Sequence, residues 1–186
     1  MNLQTIRGKK PLKLLMILLC SLAIASVSAG VYNSMFMNAT VGAVSNLVQF
    51  TSGTDTSVTG GTISASGQTV TFTHMDGTIG TGKTYTDPVN IANLDSASHV
   101  ISLNLNSWTG TSSTPMNNIT ISMYNGATKM GSSIVLIPGG GGSEVDTTGN
   151  QTIVGSGVWS VQWSIYWTNS ATSSNSVYVS LLLKVW

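Results

Sequence analysis

Charge is what this chain has least of. Of 186 residues, 7 are Lys or Arg and 6 are Asp or Glu, so 7% are charged, against roughly 25% in an ordinary soluble domain. The few charges are unevenly placed. Arg7, Lys9, Lys10 and Lys13 cluster near the start of the chain. Beyond residue 30 only Lys83, Lys129 and Lys184 stand against Asp55, Asp76, Asp87, Asp95, Glu144 and Asp146, a balance of 3 − 6 = −3. Three lysines make no phosphate-binding stripe, which excludes nucleic-acid recognition. A charge-dense disordered tail is excluded as well. Cysteine occurs once, at Cys20, and histidine twice, at His74 and His99. A zinc site takes three or four His, Cys or carboxylate ligands, and neither H-E-x-x-H, C-x-x-C nor an acidic calcium loop is present to supply them. G-x-S-x-G is missing too, and no stretch after residue 30 sustains a helical period.

Positions 1–29 have the order of an export signal. A basic, polar start is followed by the uncharged run Leu14 to Val27 (LLMILLCSLAIASV) and the small residues Ser28-Ala29-Gly30. That is the n-region, h-region and cleavage site of a secretory signal peptide, with the cut expected between Ala29 and Gly30. The run is short of the ~20 residues that span a bilayer, so the membrane is met only during export. Leu18 and Leu19 before Cys20 are not the small residues of a lipoprotein cleavage point, and Lys9, Lys10 and Pro11 after Gly8 do not fit a type IV pilin signal. Cleavage removes the only cysteine. Export favours disulfides in small domains, but a remainder of this size can hold a core without them.

What the remainder does have is Ser and Thr, 47 of them after residue 30, and a period of two. Trp159, Val161, Trp163, Ile165 and Trp167 alternate with Ser160, Gln162, Ser164 and Tyr166. Val177, Val179, Leu181, Leu183 and Val185 form a second such set. Ile101-Leu103-Leu105, Ile119-Ile121-Met123 and Val70-Phe72 repeat the pattern. This is the signature of half-buried strands with Ser and Thr on the solvent face. Gly60-Gly61, Ser66-Gly67, Asp76-Gly77, Asn125-Gly126, Pro138 with Gly139 to Gly142, and Gly155-Ser156-Gly157 punctuate the strands. Short strands with regular turns predict an all-β fold, a single β-sandwich or jelly roll. The expected organisation is 1–29 signal peptide, 30–43 N-terminal strand segment and 44–186 sandwich.

Individual residues offer little chemistry. His74 shares parity with Val70 and Phe72 and reads as a core or edge histidine; Asp76 beside it makes a weak metal pair. Pro138 and the glycines after it read as a flexible loop, since a phosphate loop needs Gly-Lys-Ser/Thr opening a helix. Trp108, Trp159, Trp163, Trp167 and Trp186 invite a sugar-stacking platform, but three of them share one strand face and read as core. Asn38, Asn118 and Asn150 each open an N-x-S/T sequon, which an exported protein can carry glycosylated; Asn150, in a turn region, is the best placed. No cofactor is expected. The segment 31–41 (VYNSMFMNATV) is unusual. Val31, Tyr32, Met35, Phe36 and Met37 put apolar groups on both faces directly after the predicted cut, where a terminus is ordinarily polar and frayed. It is either the first strand of its own sheet or a strand awaiting a groove elsewhere.

The signal ending in SAG, the strand VYNSMFMNATVG, the pair around TVTFTH, the element TYTDPVNIANLDSASHVISLNL, the PGGGG stretch and the strand WSVQWSIYW form a series. In this order they resemble the TasA/camelysin-type biofilm fibre proteins, and more closely their archaeal bundling-pilus relatives. The resemblance spans most of the chain after the signal, through loose motifs. It implies a secreted, non-enzymatic subunit of an extracellular filament whose partner is itself. The N-terminal strand (Val31, Tyr32, Met35, Phe36, Met37) would complete the sandwich of the next subunit head to tail, with lateral bundling into a biofilm matrix. The protease-like activity reported in that family is not carried over, because this chain lacks a metal-ligand set. The competing readings are a secreted carbohydrate-binding sandwich using Trp108 or Trp186, a surface-layer component, and last a hydrolase using His74 or His99.

Overall fold

The computed structural model describes residues 36–43, 47–77, 80–109, 115–138, 142–172 and 176–186. The predicted signal peptide, its cut at Ala29 and Gly30, the residues Val31, Tyr32 and Met35, and the glycine loop at 139–141 lie outside them. The strands are β1 (Phe36–Ala43), β2 (Val48–Ser52), β3 (Thr62–Ile63), β4 (Thr69–Phe72), β5 (Gly82–Asn93) and β6 (His99–Thr109). They continue with β7 (Met116–Asn125), β8 (Thr128–Ile137), β9 (Gly142–Val145), β10 (Gln151–Ile153), β11 (Val158–Trp167) and β12 (Ser176–Val185). The fold is all-β. Sheet A has the order β10-β6-β12-β1-β4-β3 and sheet B the order β2-β5-β11-β7-β8-β9. The two pack as a sandwich.

The alternation read from the sequence is the alternation of burial. In β11 the residues Trp159, Val161, Trp163, Ile165 and Trp167 are buried while Ser160, Gln162, Ser164 and Tyr166 are partly exposed. In β12 the inward set is Val177, Val179, Leu181 and Leu183. Inner faces of facing sheets interdigitate to form such a core. Phe72 of sheet A meets Trp163 of sheet B edge to face, with centroids 6.0 Å apart and planes at 67°, the arrangement that the ring quadrupoles favour.

Two local devices shape the sheets. Gly126 takes φ 58° in the turn between β7 and β8, a left-handed conformation that the two-residue hairpin requires and glycine supplies. Pro88 lies inside β5, where a missing N–H would break a ladder. There the pairing with β11 passes from Val89↔Val161 to Tyr85↔Trp163 through a register shift, so the proline sits in a bulge. Asp55 covers the bulge from outside, accepting from the backbone N–H groups of Thr86 and Asp87 at 2.8 and 3.1 Å.

The sandwich has two ends. Phe36 pairs with Ser176 at one, the entrance end, and Ala43 pairs with Leu183 near the other, the exit end. The exit end carries the starts of β2, β6 and β11 and the ends of β5 and β12.

Candidate functional site

The notable feature of sheet A is the position of β1. It lies in the interior, parallel to β12 from Phe36↔Ser176 to Ala43↔Leu183, and antiparallel to β4 from Ala39↔Phe72 to Gly42↔Thr69. Every other pairing among the described strands is antiparallel. Antiparallel neighbours are usually joined by hairpins. Strand β1 has none. Both its sheet neighbours are distant in sequence, and the chain leaves it for β2, which belongs to sheet B. The sheet thus contains a slot, walled by β12 and β4, whose occupant is covalently tied to it by neither wall.

The occupant fills the slot by its apolar parity. Met37, Ala39 and Val41 are fully buried, inward with Val177, Val179 and Leu181 on one wall and Val70 and Phe72 on the other. Thr40 is partly exposed, and its hydroxyl accepts from the Tyr178 hydroxyl at 3.3 Å on the outer face. An alanine at the central inward position lets the neighbouring side chains close over the strand. Strand spacing of ~4.8 Å means that removing β1 leaves two unpaired edges about 10 Å apart, with an apolar floor between them. Of the residues singled out as a donor strand, Phe36 opens β1 and Met37 is its first fully buried side chain. In this chain they pair within their own sheet.

At the entrance end the slot is closed by the segment after β4. The Met37 N–H donates to the Met75 carbonyl at 3.3 Å, and Met75 is buried. The next residue, Asp76, ties this segment to sheet B. Lys83 Nζ lies 2.5 Å from Asp76 Oδ1 and 4.8 Å from the Tyr85 ring centroid. The Tyr85 hydroxyl donates to the Asp76 carboxylate and accepts from the Asp76 N–H at 3.0 Å. Burial pushes the Asp76 carboxyl up, but the bonds from Lys83 and Tyr85 outweigh it and hold the group below the usual value. Burial and the Asp76 contact raise the Tyr85 phenol to about 12. Both effects describe an ion pair beside a neutral phenol, which ties the segment after β4 to sheet B.

The remaining candidates are dispersed. His74 follows the end of β4 and is exposed, 2.8 Å from the Thr73 hydroxyl through Nδ1; the parity that aligned it with Phe72 lapses where the strand stops. His99 faces Asp95 across 2.9 Å at the opposite end, and that contact is the main reason the Asp95 carboxyl sits low. Asp76 pairs with Lys83 rather than with His74. No group of three or more metal-ligating residues occurs among the described residues. Trp159, Trp163 and Trp167 are core, and Trp108 packs partly buried against it. Trp186 is 58% exposed. Trp108 pairs with Val179 of β12. Trp186 lies seven positions further along, about 23 Å at ~3.3 Å per residue, so the two form no joint platform. Asn118 in β7 and Asn150 before β10 are exposed, while Asn38 lies within β1 opposite Tyr178.

Sequence reasoning marked 31–41 as peculiar but missed the walls of the slot. The apolar run of β12 was plain, its parallel pairing with β1 was not, because parallel pairing leaves no hairpin signal between the partners. No protein-family model matches the chain, and no curated protein matches it either.

Proposed function

We propose that the protein is a structural, non-enzymatic subunit of an extracellular filament, assembled by exchange of β1 between copies. One observation carries this reading: β1 is an interior strand held by no hairpin, in a slot whose walls belong to other parts of the chain. A strand of this kind forms the same ladder and buries the same Met37, Ala39 and Val41 whether it comes from its own chain or from another. Exchange then costs no contact, which is why domain swapping is a low-cost route to assembly. Backbone pairing supplies affinity and the alternate side chains supply specificity, the physics of strand addition. A head-to-tail exchange that does not close propagates a filament.

The low charge after residue 30 supports the same reading, since stacked copies carrying −3 each repel one another weakly and a near-neutral surface promotes association. Export by the N-terminal segment would deliver the chain to the cell surface, and Asn118 and Asn150 would be accessible there to glycosylation. The test is electron microscopy of the exported protein. Filaments are expected, and they should vanish when residues 30–43 are deleted. Monodisperse globules in both cases overturn the proposal. A glycan-binding monomer would instead favour the carbohydrate-module reading, and a two-dimensional lattice a surface-layer role.

A further inference from the structure

Five of the seven large hydrophobic side chains exposed among the described residues gather at the exit end: Leu47 (47%), Leu94 (60%), Val154 (59%), Val158 (53%) and Trp186. Four of them lie on neighbouring backbone positions. Leu94 N–H donates to the Leu47 carbonyl at 2.8 Å. One ladder row inward, Gln49, Ala92 and Val158 lie side by side across β2, β5 and β11. Val154 lies across the turn before Val158, with its Cγ2 3.2 Å from where a Cβ on the preceding Gly157 would stand. Asn93, at the centre, is buried and spends its amide on the carbonyls of Ala97 and Val154 at 2.8 and 3.0 Å. The nearest carboxylate, Asp95, is turned to His99. The result is an aliphatic patch with its polar groups already satisfied. Scattered apolar residues need no explanation, whereas a contiguous patch marks an interaction site.

The topology says what covers it. Strand β1 ends at Ala43, and Leu47, four residues on in the sequence, is itself part of the patch. Four Cα steps reach at most about 14 Å. If β1 sits in another copy, its Ala43 lies at that copy's exit end while Leu47 lies at its own. The two exit ends are therefore brought within that distance. We infer that the aliphatic patch of Leu47, Leu94, Val154 and Val158 is a self-association surface that meets the exit end of a second copy. The identity of this occupant rests on the strand-exchange reading.

Two readouts in the exported full chain separate the inference from that reading. Contact between exit ends is read with Leu94→Cys and a short bismaleimide cross-linker, with Cys20→Ser as background. Thr109→Cys, at the opposite end, is the control. Exchange is read independently by an inter-chain disulfide between Thr40→Cys on one chain and Thr71→Cys on another. Covalent dimers from Leu94→Cys at least tenfold above the Thr109→Cys control are expected. Equal or absent cross-linking overturns the patch contact, whatever the exchange readout gives. Leu94 cross-linking without exchange disulfides upholds the contact and overturns the strand-exchange reading. The double change Leu94→Lys with Val158→Lys alters exposed positions only. It should lower filament yield at least tenfold with the circular dichroism of the subunit unchanged, and undiminished filaments would also overturn the inference.

Discussion

Replacing Met37 by Ala probes the slot at the largest side chain that β1 buries in it. Met37 is fully buried, its N–H is bonded to the Met75 carbonyl, and its neighbour on the far wall is Val177. Truncating a buried methionine removes its transfer free energy and leaves a cavity, together about 2–5 kcal/mol. A cost within that range is expected here, because Met37 is held by the β12 ladder on one side and by its bond to the Met75 carbonyl on the other. Thr40→Ala is the internal control. Thr40 lies further along the same strand, is partly exposed, and loses only an outer-face contact to Tyr178. Surface substitutions of this kind change stability by about 0.5 kcal/mol or less. Denaturant unfolding read by tryptophan fluorescence suits the measurement, since Trp163 and Trp167 are fully buried and report the core. The contrast between the two variants is what matters, since it is the same whether β1 is seated in its own sheet or another's. If Met37→Ala costs no more than the Thr40→Ala control, the seating of β1 is refuted.

Further outcomes follow from the same contacts. Asp76 titrates lower in the fold than outside it, so its contribution is present above the ordinary carboxylate value and is lost as pH falls through the lowered one. Lys83 titrates higher in the fold, so its contribution is lost only above its ordinary value; Tyr85 is raised to about 12, so its contribution is present below its ordinary value near 10 and is lost as pH rises through about 12. Stability measured across pH should therefore show a plateau that Asp76→Asn flattens at the acid edge and Tyr85→Phe at the alkaline edge. Gly77→Ala would press a Cβ into the buried Trp167 ring. Overpacking of this kind costs about 1–3 kcal/mol, visible as a lowered melting temperature. Mass spectrometry of the native protein should find Asn150 glycosylated ahead of Asn118, because Asn150 lies outside any strand whereas Asn118 lies within the interior strand β7.

The strands whose apolar residues alternate without interruption were legible in the sequence. The span 158–167 was read at the bounds it has as β11, and β12 differs by one residue at each end. Strand β8 was not legible, because Gly131 and Ser132-Ser133 break its alternation. Strand β5 was obscured by Pro88, which the bulge opposite β11 accommodates. The slot was half legible. Its occupant stood out as an apolar segment, Met35 to Met37 with Val31 and Tyr32, following the run read as an export signal. Its walls did not, because the pairing of residues near position 40 with residues near positions 71 and 179 depends on how two sheets close, and no local pattern encodes that closure.

The central claim is that β1 occupies the slot of another copy in the assembled protein. The antiparallel register brings Thr40 opposite Thr71, both partly exposed on the outer face. Directly opposed residues in such a pair have Cα atoms about 4.5–5.5 Å apart, within the roughly 4.4–6.8 Å that a disulfide spans. Chains carrying Thr40→Cys alone and chains carrying Thr71→Cys alone, both with Cys20→Ser, are to be mixed during assembly, oxidised and run on a denaturing, non-reducing gel. The account predicts disulfide-linked mixed dimers from these chains, and a covalent ladder from chains carrying both substitutions. A doubly substituted chain that oxidises fully while remaining a monomer, with no mixed dimers from the single variants, would contradict it.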